Sequence, residues 1–183
     1  MYGKDCTKGE KGADKIYGGA GKDKIYGESG TNTLKGGAGN DTYNVSSLTD
    51  STAIIDSAGS DILNIATSKS DIKILFNVNS DGTFDLGYDK LYLVDSDTFD
   101  DCIENHTLPT SGITISDFDS IETINATDGH IANLSQLKSD VAGWLTSGGR
   151  SYGSVAEALK DEIADLSTLI AIFDRAANWQ SSI

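Results

Sequence analysis

The feature that most constrains this chain is a nine-residue period close to its N-terminus. Glycine opens each nonapeptide, Asp or Asn stands at the sixth position, and a large apolar residue stands at the eighth. Four consecutive copies in strict register begin at Gly9, Gly18, Gly27 and Gly36. Such a period predicts a stacked fold, because one short copy cannot bury its apolar side chain without its neighbours.

Each residue type in the nonapeptide has a physical reason for its position. Glycine permits a positive φ and a close approach of two backbones, so that carbonyl oxygens can turn inward. The sixth residue adds a side-chain oxygen, and a ring of such oxygens suits a hard cation such as calcium. The last three residues of each copy predict a short strand whose apolar side chain points between two stacked sheets.

The four copies resemble the RTX family, whose repeat is G-G-x-G-x-D-x-U-x with U a large apolar residue. The resemblance covers roughly residues 3–45, and a degenerate copy follows at 56–64. It implies a mainly β fold built on a calcium-bound parallel β-roll, in which two repeats make one turn. Loops then alternate between two edges, and loops 18 residues apart stack and share calcium. We expect about three to five Ca²⁺ ions.

The resemblance also implies a set of metal ligands. On one edge Asp5 faces Asp23, which in turn faces Asp41, and on the other edge Asp14 faces Asn32. The upper loop of each pair gives carbonyl oxygens from its first and third positions, and the lower loop from its second and fourth. The full set that the resemblance implies is the side chains of Asp5, Asp14, Asp23, Asn32, Asp41 and Asp61, with backbone groups of Gly9, Lys11, Gly18, Gly19, Ala20, Gly21, Gly30, Gly36, Gly37, Ala38, Gly39 and Gly59.

Two departures from the pattern modify this expectation. Asn32 supplies a neutral oxygen in place of a carboxylate, which predicts a weaker site. The segment Val45–Ile55 is two residues longer than a repeat, yet it returns the chain to the first edge. A further site is therefore predicted between the loops of Asp41 and Asp61, and one between Asn32 and Asp50 is left open.

Two alternative interpretations of the glycine loops fit less well. The segment Gly18–Lys22 is rich in glycine and ends in lysine, but Asp23 follows where a phosphate-binding loop needs Ser or Thr. A flexible linker would not keep an apolar residue at every ninth position. Calcium binding remains the favoured interpretation.

Calcium is expected to control folding. Each nonapeptide buries one strongly apolar side chain, worth about 1.5–3 kcal/mol, while fixing nine backbones costs on the order of 9–18 kcal/mol. Stacked carboxylates also repel one another. The roll is therefore predicted to be unfolded until a cation binds.

The remainder of the chain predicts a cap on the roll. We divide the chain into a roll (1–64), a β capping region (65–128) and a helical C-terminal cap with a secretion signal (129–183). Strands are predicted at 71–78 and 83–86, joined by a hairpin turn, and again at 90–94, 112–118 and 121–124. The acidic run 95–101 is interpreted as a solvated loop, with a cation site as the alternative. Helices are predicted only after Gly129, beginning at Asn133 and at Ser154.

The charge of the chain excludes several partners. Acidic residues outnumber basic residues 28 to 14, giving a formal charge of −14, which argues against nucleic acid and anionic membranes. The sequence has no run of about 18 apolar residues, so we expect no insertion into a membrane. The sequence opens partway through a repeat without a signal peptide, which favours a fragment of a longer protein. We expect a monomer with two free thiols, Cys6 and Cys102.

No catalytic motif is present in the sequence. It holds two histidines, His106 and His130, and neither an H-E-x-x-H zinc motif nor a G-x-S-x-G elbow. We therefore expect no enzyme activity. The resemblance implies extracellular location and export by a type I secretion system, and the ending Ala176–Gln180 is similar to tails of large RTX adhesins. Two parent proteins stay open: an adhesin, surface-layer protein or toxin, and a secreted hydrolase such as a metalloprotease or lipase.

Overall fold

A computed structural model describes residues 6–78, 84–85, 90–105, 107–116, 120–128, 130–133 and 180–181. Over these residues the chain is mainly β and forms two seven-stranded sheets. Both sheets are parallel over the repeats, and this is consistent with the predicted β-roll. None of the helices in the described part of the chain is long and apolar enough to cross a membrane.

The first sheet contains the strands that end every second repeat, followed by strands from beyond the repeats. In spatial order it contains β1 (Thr7–Lys8), β3 (Lys24–Tyr26), β5 (Thr42–Val45), β7 (Ile62–Ile65), β12 (Thr123–Asn125), β13 (His130–Asn133) and β14 (Gln180–Ser181).

The second sheet contains the strands that alternate with them over the repeats, together with four consecutive strands of the capping region. In spatial order it contains β2 (Lys15–Ala20), β4 (Thr31–Ala38), β6 (Ser51–Ile55), β11 (Gly112–Ile115), β10 (Leu91–Val94), β8 (Lys73–Val78) and β9 (Phe84–Asp85). A 3₁₀ turn at Lys69–Asp71 and a helix α1 at Ser96–Asn105 complete the described elements.

The register of the parallel strands follows the nine-residue period. Ile25 pairs with Tyr43, 18 residues along the chain, so that two repeats make one step of the stack. Tyr43 pairs with Leu63, 20 residues along, because the segment before β6 is two residues longer. Leu48 in this longer segment is buried in the core, 3% exposed, and anchors it. The extra residues are thus absorbed outside the strands, and apolar side chains stay stacked on apolar side chains.

The core is a double column of apolar side chains between the two sheets. Buried and half-buried residues alternate along β4, β5 and β6, as one side chain in two points inward. Every member of the two columns is at most 1% exposed, and the columns are Ile16, Leu34, Ile54 and Ile115 in the second sheet and Ile25, Tyr43, Leu63 and Ile124 in the first. Eighth-position residues therefore form the core, as the repeat pattern predicts.

Strands β11 and β12 add one more step to the roll beyond the repeats. β11 pairs in parallel with β6, and β12 in parallel with β7. Between β7 and β11 the chain makes antiparallel strands, since β8 pairs with both β9 and β10. The pairing of β8 with β9 agrees with the predicted hairpin, whose turn lies outside the described residues. The capping region thus extends the same two sheets.

The acidic run 95–101 is not a loop, and the prediction that helices occur only after Gly129 is wrong. Most of the run lies in α1, which Asp95 caps: the Thr98 amide donates to Asp95 Oδ1 over 2.8 Å. Phe99 and Cys102 on α1 pack with residues of β10 in a second small core. An N-terminal cap and one apolar face, rather than the charge of the run, decide its structure.

The helices predicted to begin at Asn133 and Ser154 lie outside the described residues. Where the structure does describe residues beyond 129, it shows strands: β13 is antiparallel to β12, and β14 is antiparallel to β13. The chain near residue 180 therefore returns to the first sheet. Neither strand is predicted by the sequence pattern.

Candidate metal centre

The glycine loops stack with their carbonyl oxygens in the space between them. Gly19, Gly21, Gly37 and Gly39 have φ values of 121°, 120°, 113° and 123°, a region that side chains other than glycine rarely adopt. A Cβ atom on Gly37 or Gly39 would overlap the carbonyl oxygen of Gly19 or Gly21. Glycine at these positions therefore brings carbonyl oxygens inward, as the repeat predicts.

The first-position glycines make room for the sixth-position carboxylates. A Cβ atom on Gly18 would lie 2.7 Å from Asp23 Oδ2 and 2.7 Å from the Gly36 carbonyl oxygen, and one on Gly9 would lie 2.9 Å from Asp14 Oδ2. These distances are too short for a real Cβ contact. Each loop thus places backbone and carboxylate oxygens side by side, the arrangement that a hard cation requires.

A chain of hydrogen bonds joins the acids of one edge. The Asp23 amide donates to Asp41 Oδ1 over 2.8 Å, and the Asp41 amide donates to Asp61 Oδ1 over 2.6 Å. The Asp61 amide donates in the same way to Glu122 Oε2. We call Asp23, Asp41, Asp61 and Glu122 the acidic edge. The structure therefore brings together three predicted ligands and adds a fourth acid from outside the repeats.

Glu122, 61 residues after Asp61 in the chain, accepts a hydrogen bond from the neighbouring acid along the edge, as Asp41 and Asp61 do. It stands two residues before the core residue Ile124, just as Asp61 stands two residues before Leu63. That acid–x–apolar spacing is the one sequence signal for Glu122. Without the glycines of a full copy, the spacing is too common to be specific.

Burial makes it unfavourable for the carboxylates of the acidic edge to be charged at the same time. Asp41 and Asp61 are each 1% exposed, and among the described residues their Oδ2 atoms have no hydrogen-bond partner. Burial raises the pKa of Asp41, and the negative charges of Asp56 and Asp23 raise it further. Burial also raises the pKa of Asp61 to about 6, with further contributions from Asp56, Asp41 and Glu122. A cation placed among these oxygens would relieve both the desolvation and the repulsion.

The opposite edge loses its charge along the stack. The Asp14 amide donates to Asn32 Oδ1 over 3.2 Å, Asn32 pairs with Thr52, and Thr52 pairs with Ile113. We call Asp14, Asn32, Thr52 and Ile113 the depleted edge. Asp50 does not lie opposite Asn32, because the two extra residues before β6 place Thr52 there. The structure therefore does not bring together the residues of the Asn32–Asp50 site that the sequence left open.

The other predicted ligands lie in the stacked loops, except that Asp5 is outside the described residues and that the Ala38 and Gly37 carbonyls already accept backbone hydrogen bonds. The Ala38 carbonyl accepts from the Gly21 amide over 2.8 Å, and the Gly37 carbonyl accepts from the Ala58 amide over 3.3 Å. Lys11 directly precedes Gly12, which forms a β-bridge with Gly30. The other backbone groups that the sequence predicts as ligands belong to the glycine loops of the repeats. The metal-binding role of each residue stays a prediction.

A third buried acid, Asp56, lies beside Asp41 and Asp61. Asp41, Asp56 and Asp61 each offer an oxygen atom, and these atoms all lie within 4.8 Å of one another. The donor set consists of hard oxygens, two of its carboxylates carry a buried oxygen without a hydrogen-bond partner among the described residues, and glycine leaves space beside them. These residues fit a divalent cation with calcium's preference for carboxylate and carbonyl ligands.

Comparison with known proteins agrees with this geometry. A family model described as the RTX calcium-binding nonapeptide repeat, in four copies, matches residues 8–43. No curated protein and no solved structure matches the chain. The matched residues hold the stacked glycine loops and the first part of the acidic edge. Residues 8–43 of the chain therefore carry four RTX calcium-binding nonapeptide repeats.

Proposed function

We propose that this chain is a calcium-dependent folding module of a larger secreted protein. The observation that carries the proposal is a pair of buried carboxylate oxygens on Asp41 and Asp61, which have no hydrogen-bond partner within the described part of the chain and lie in and beside calcium-binding repeats. Buried carboxylates of this kind are costly unless a cation or a proton neutralises them. The module acts by binding calcium and folding, with no catalytic activity of its own.

The energetics support a role for calcium in switching the module from unfolded to folded. Each repeat contributes one core side chain, which does not offset the loss of backbone entropy in nine residues. An ion that binds only the folded state adds about 2.7 kcal/mol at a hundredfold excess over its dissociation constant. Several ions along one stack therefore shift the folding equilibrium from strongly unfavourable to favourable over a narrow range of calcium concentration.

The same property suits a protein that must leave the cell before it folds. RTX repeats are typical of secreted proteins, and a chain that folds only with calcium stays unfolded where free calcium is scarce. We propose that the module is exported through a type I secretion system and folds at the cell surface or in the medium, as part of a larger adhesin, surface-layer protein or toxin. Secretion with and without residues 129–183, in cells that carry or lack the transporter, tests this part separately.

A calcium titration tests the folding proposal. The chain in chelator should show little β signal by circular dichroism, and calcium should produce a cooperative gain of β structure with about three to five ions bound by calorimetry. Magnesium is the matched control, since it dehydrates reluctantly and demands a stricter octahedral geometry. Sodium chloride at high concentration controls for simple charge screening. An identical β signal with chelator and with calcium would refute the proposal.

A further inference from the structure

The degenerate fifth repeat places an acid where the other copies have glycine. Its first residue is Asp56, which stacks on the first residue of the preceding copy on that edge, Gly36. A Cβ atom on Gly36 would overlap Asp41 Oδ2 and Tyr43 Oη and would lie 2.5 Å from Asp56 Oδ2. The carboxylates of Asp41 and Asp56 therefore point into one small space, which the absence of a side chain on Gly36 keeps open.

Three carboxylates converge on this space. Asp41, Asp56 and Asp61 are 1%, 7% and 1% exposed, and their nearest ligand atoms lie within 4.8 Å of one another. Asp41 Oδ2 and Asp61 Oδ2 have no hydrogen-bond partner among the described residues. Three like charges at this separation repel strongly when they are removed from water. The unpartnered oxygens therefore indicate a bound cation rather than a satisfied hydrogen-bond network.

The surroundings of Asp56 hold it as a preformed ligand. The Ala58 amide donates to Asp56 Oδ1 over 3.3 Å, and the Ser57 amide donates to the same atom. The Tyr43 hydroxyl donates to Asp56 Oδ2 and accepts from the Gly36 amide over 2.7 Å. A carboxylate has about four acceptor sites, so these bonds leave capacity for a metal ion. Outer contacts of this kind orient metal ligands.

We propose that Asp56 is a third carboxylate ligand, which gives the site between the Asp41 and Asp61 loops more carboxylates than any other pair of loops among the described residues. The proposal rests on calcium binding by the repeats and deepens it. The Asp23–Asp41 pair supplies two carboxylates and the Asp14–Asn32 pair supplies one. Affinity for calcium rises with the number of charged ligands. The site with Asp56 therefore binds calcium most tightly and has the strongest preference for trivalent over divalent ions.

The test compares the chain with Asp56→Asn and with Asp100→Asn. Asn keeps the size of Asp56 and an oxygen that can accept from Tyr43, so it removes the charge with little change in shape. Asp100 is exposed on α1, and its substitution makes the same change in net charge away from the loops. Calcium titration calorimetry should show that Asp56→Asn weakens the tightest class of sites by roughly 10–100-fold, while Asp100→Asn leaves that class unchanged. Unchanged tight binding in Asp56→Asn would overturn the proposal.

A second readout separates a charge role from a structural role. Competition between terbium(III) and calcium should show that Asp56→Asn loses the preference of the tightest site for the trivalent ion. If both ions weaken by the same factor, Asp56 acts through structure alone and the proposal fails. Asp56→Gly restores the residue that the other copies have at this position, which the fold already accepts there, and it should give the same two results. If the unsubstituted chain binds no calcium, the proposed function itself fails, which is a different outcome from loss of the Asp56 effect alone.

Discussion

The acidic edge and the depleted edge are built on the same backbone plan, yet they follow opposite trends along the stack. Both edges keep the 18- and 20-residue offsets, and each precedes a column of core residues at most 1% exposed. The acidic edge retains a carboxylate at every step through Glu122. The depleted edge passes from carboxylate to amide, hydroxyl and finally the apolar Ile113. Stacking of the strands therefore does not require an acid in each loop.

This difference shows that the eighth and sixth positions of the repeat have separate roles. The eighth position builds the core, and its apolar character persists in both sheets through Ile115 and Ile124. The sixth position supplies a side-chain oxygen to each loop, and it varies independently of the eighth. We therefore expect the affinity for a cation to differ from one pair of loops to the next, while the strand register is common to the whole stack. Substitutions at the sixth position should change calcium dependence far more than they change the register of the sheets.

The largest effect should follow from Asp41→Asn, because Asp41 contacts both its neighbours on the acidic edge. The substitution weakens two shared sites, and the calcium-dependent gain in unfolding free energy should fall by about 5 kcal/mol at a hundredfold excess of calcium. Asn already stands at this position in the loop of Asn32, so the fold accepts it. Denaturant unfolding at several calcium concentrations, all high enough to fold the chain, measures the difference.

Asp14→Asn is the matched variant on the depleted edge. It affects one site that already contains a neutral amide, and its loss should be at most about 2.7 kcal/mol under the same conditions. Equal losses in the two variants would contradict the comparison, since they would mean that the edges contribute equally to calcium-dependent stability.

The residues that the sequence predicts are those that repeat at fixed spacing. The period specifies the parallel register, the core columns and the pairing of Asp23 with Asp41, because each copy imposes the same constraint on its neighbour. Glu122 escapes prediction because 61 residues and an antiparallel insertion separate it from Asp61. Thr52 and α1 escape for local reasons: two extra residues shift the register before β6, and the cap at Asp95 outweighs the acidic composition of its helix.

A second prediction concerns pH in the absence of calcium. The pKa of Asp61 is raised in the folded state from 3.8 to about 6, so the folded chain binds a proton that the unfolded chain has released. Stability in chelator should therefore rise as pH falls through the window from about 6 to about 4, by up to roughly 3 kcal/mol from Asp61 alone. Circular dichroism in chelator from pH 7 to pH 4 measures the folded fraction. The rise should shrink in Asp61→Asn, and an unchanged rise would show that other groups cause it.

A third prediction adds charge to the depleted edge. Asn32→Asp gives the loop pair with Asp14 a second carboxylate, and the calcium affinity of that pair should increase about tenfold, or about 1.4 kcal/mol. The same variant should be less stable in chelator, because Asn32 is 2% exposed and a buried charge would replace a neutral amide. Titration calorimetry measures the affinity, and unfolding in chelator with a stabilising osmolyte that folds the chain measures the loss of stability. A gain in affinity without a loss of stability in chelator would mean that the loop relaxes around the new charge.

The smallest effect should come from Thr52→Val. Thr52 is 1% exposed, and its hydroxyl has no hydrogen-bond partner among the described residues. Val replaces the hydroxyl with a methyl group of similar size, so the unfolding free energy should stay unchanged or increase by about 1 kcal/mol, with and without calcium. Thermal unfolding in calcium, and in chelator with a stabilising osmolyte that folds the chain, measures the change. A loss confined to the calcium-bound state would mean that the Thr52 oxygen binds an ion with Asn32. In that case the depleted edge would hold one more site than its charges indicate, and a hydroxyl would suffice where the acidic edge uses a carboxylate.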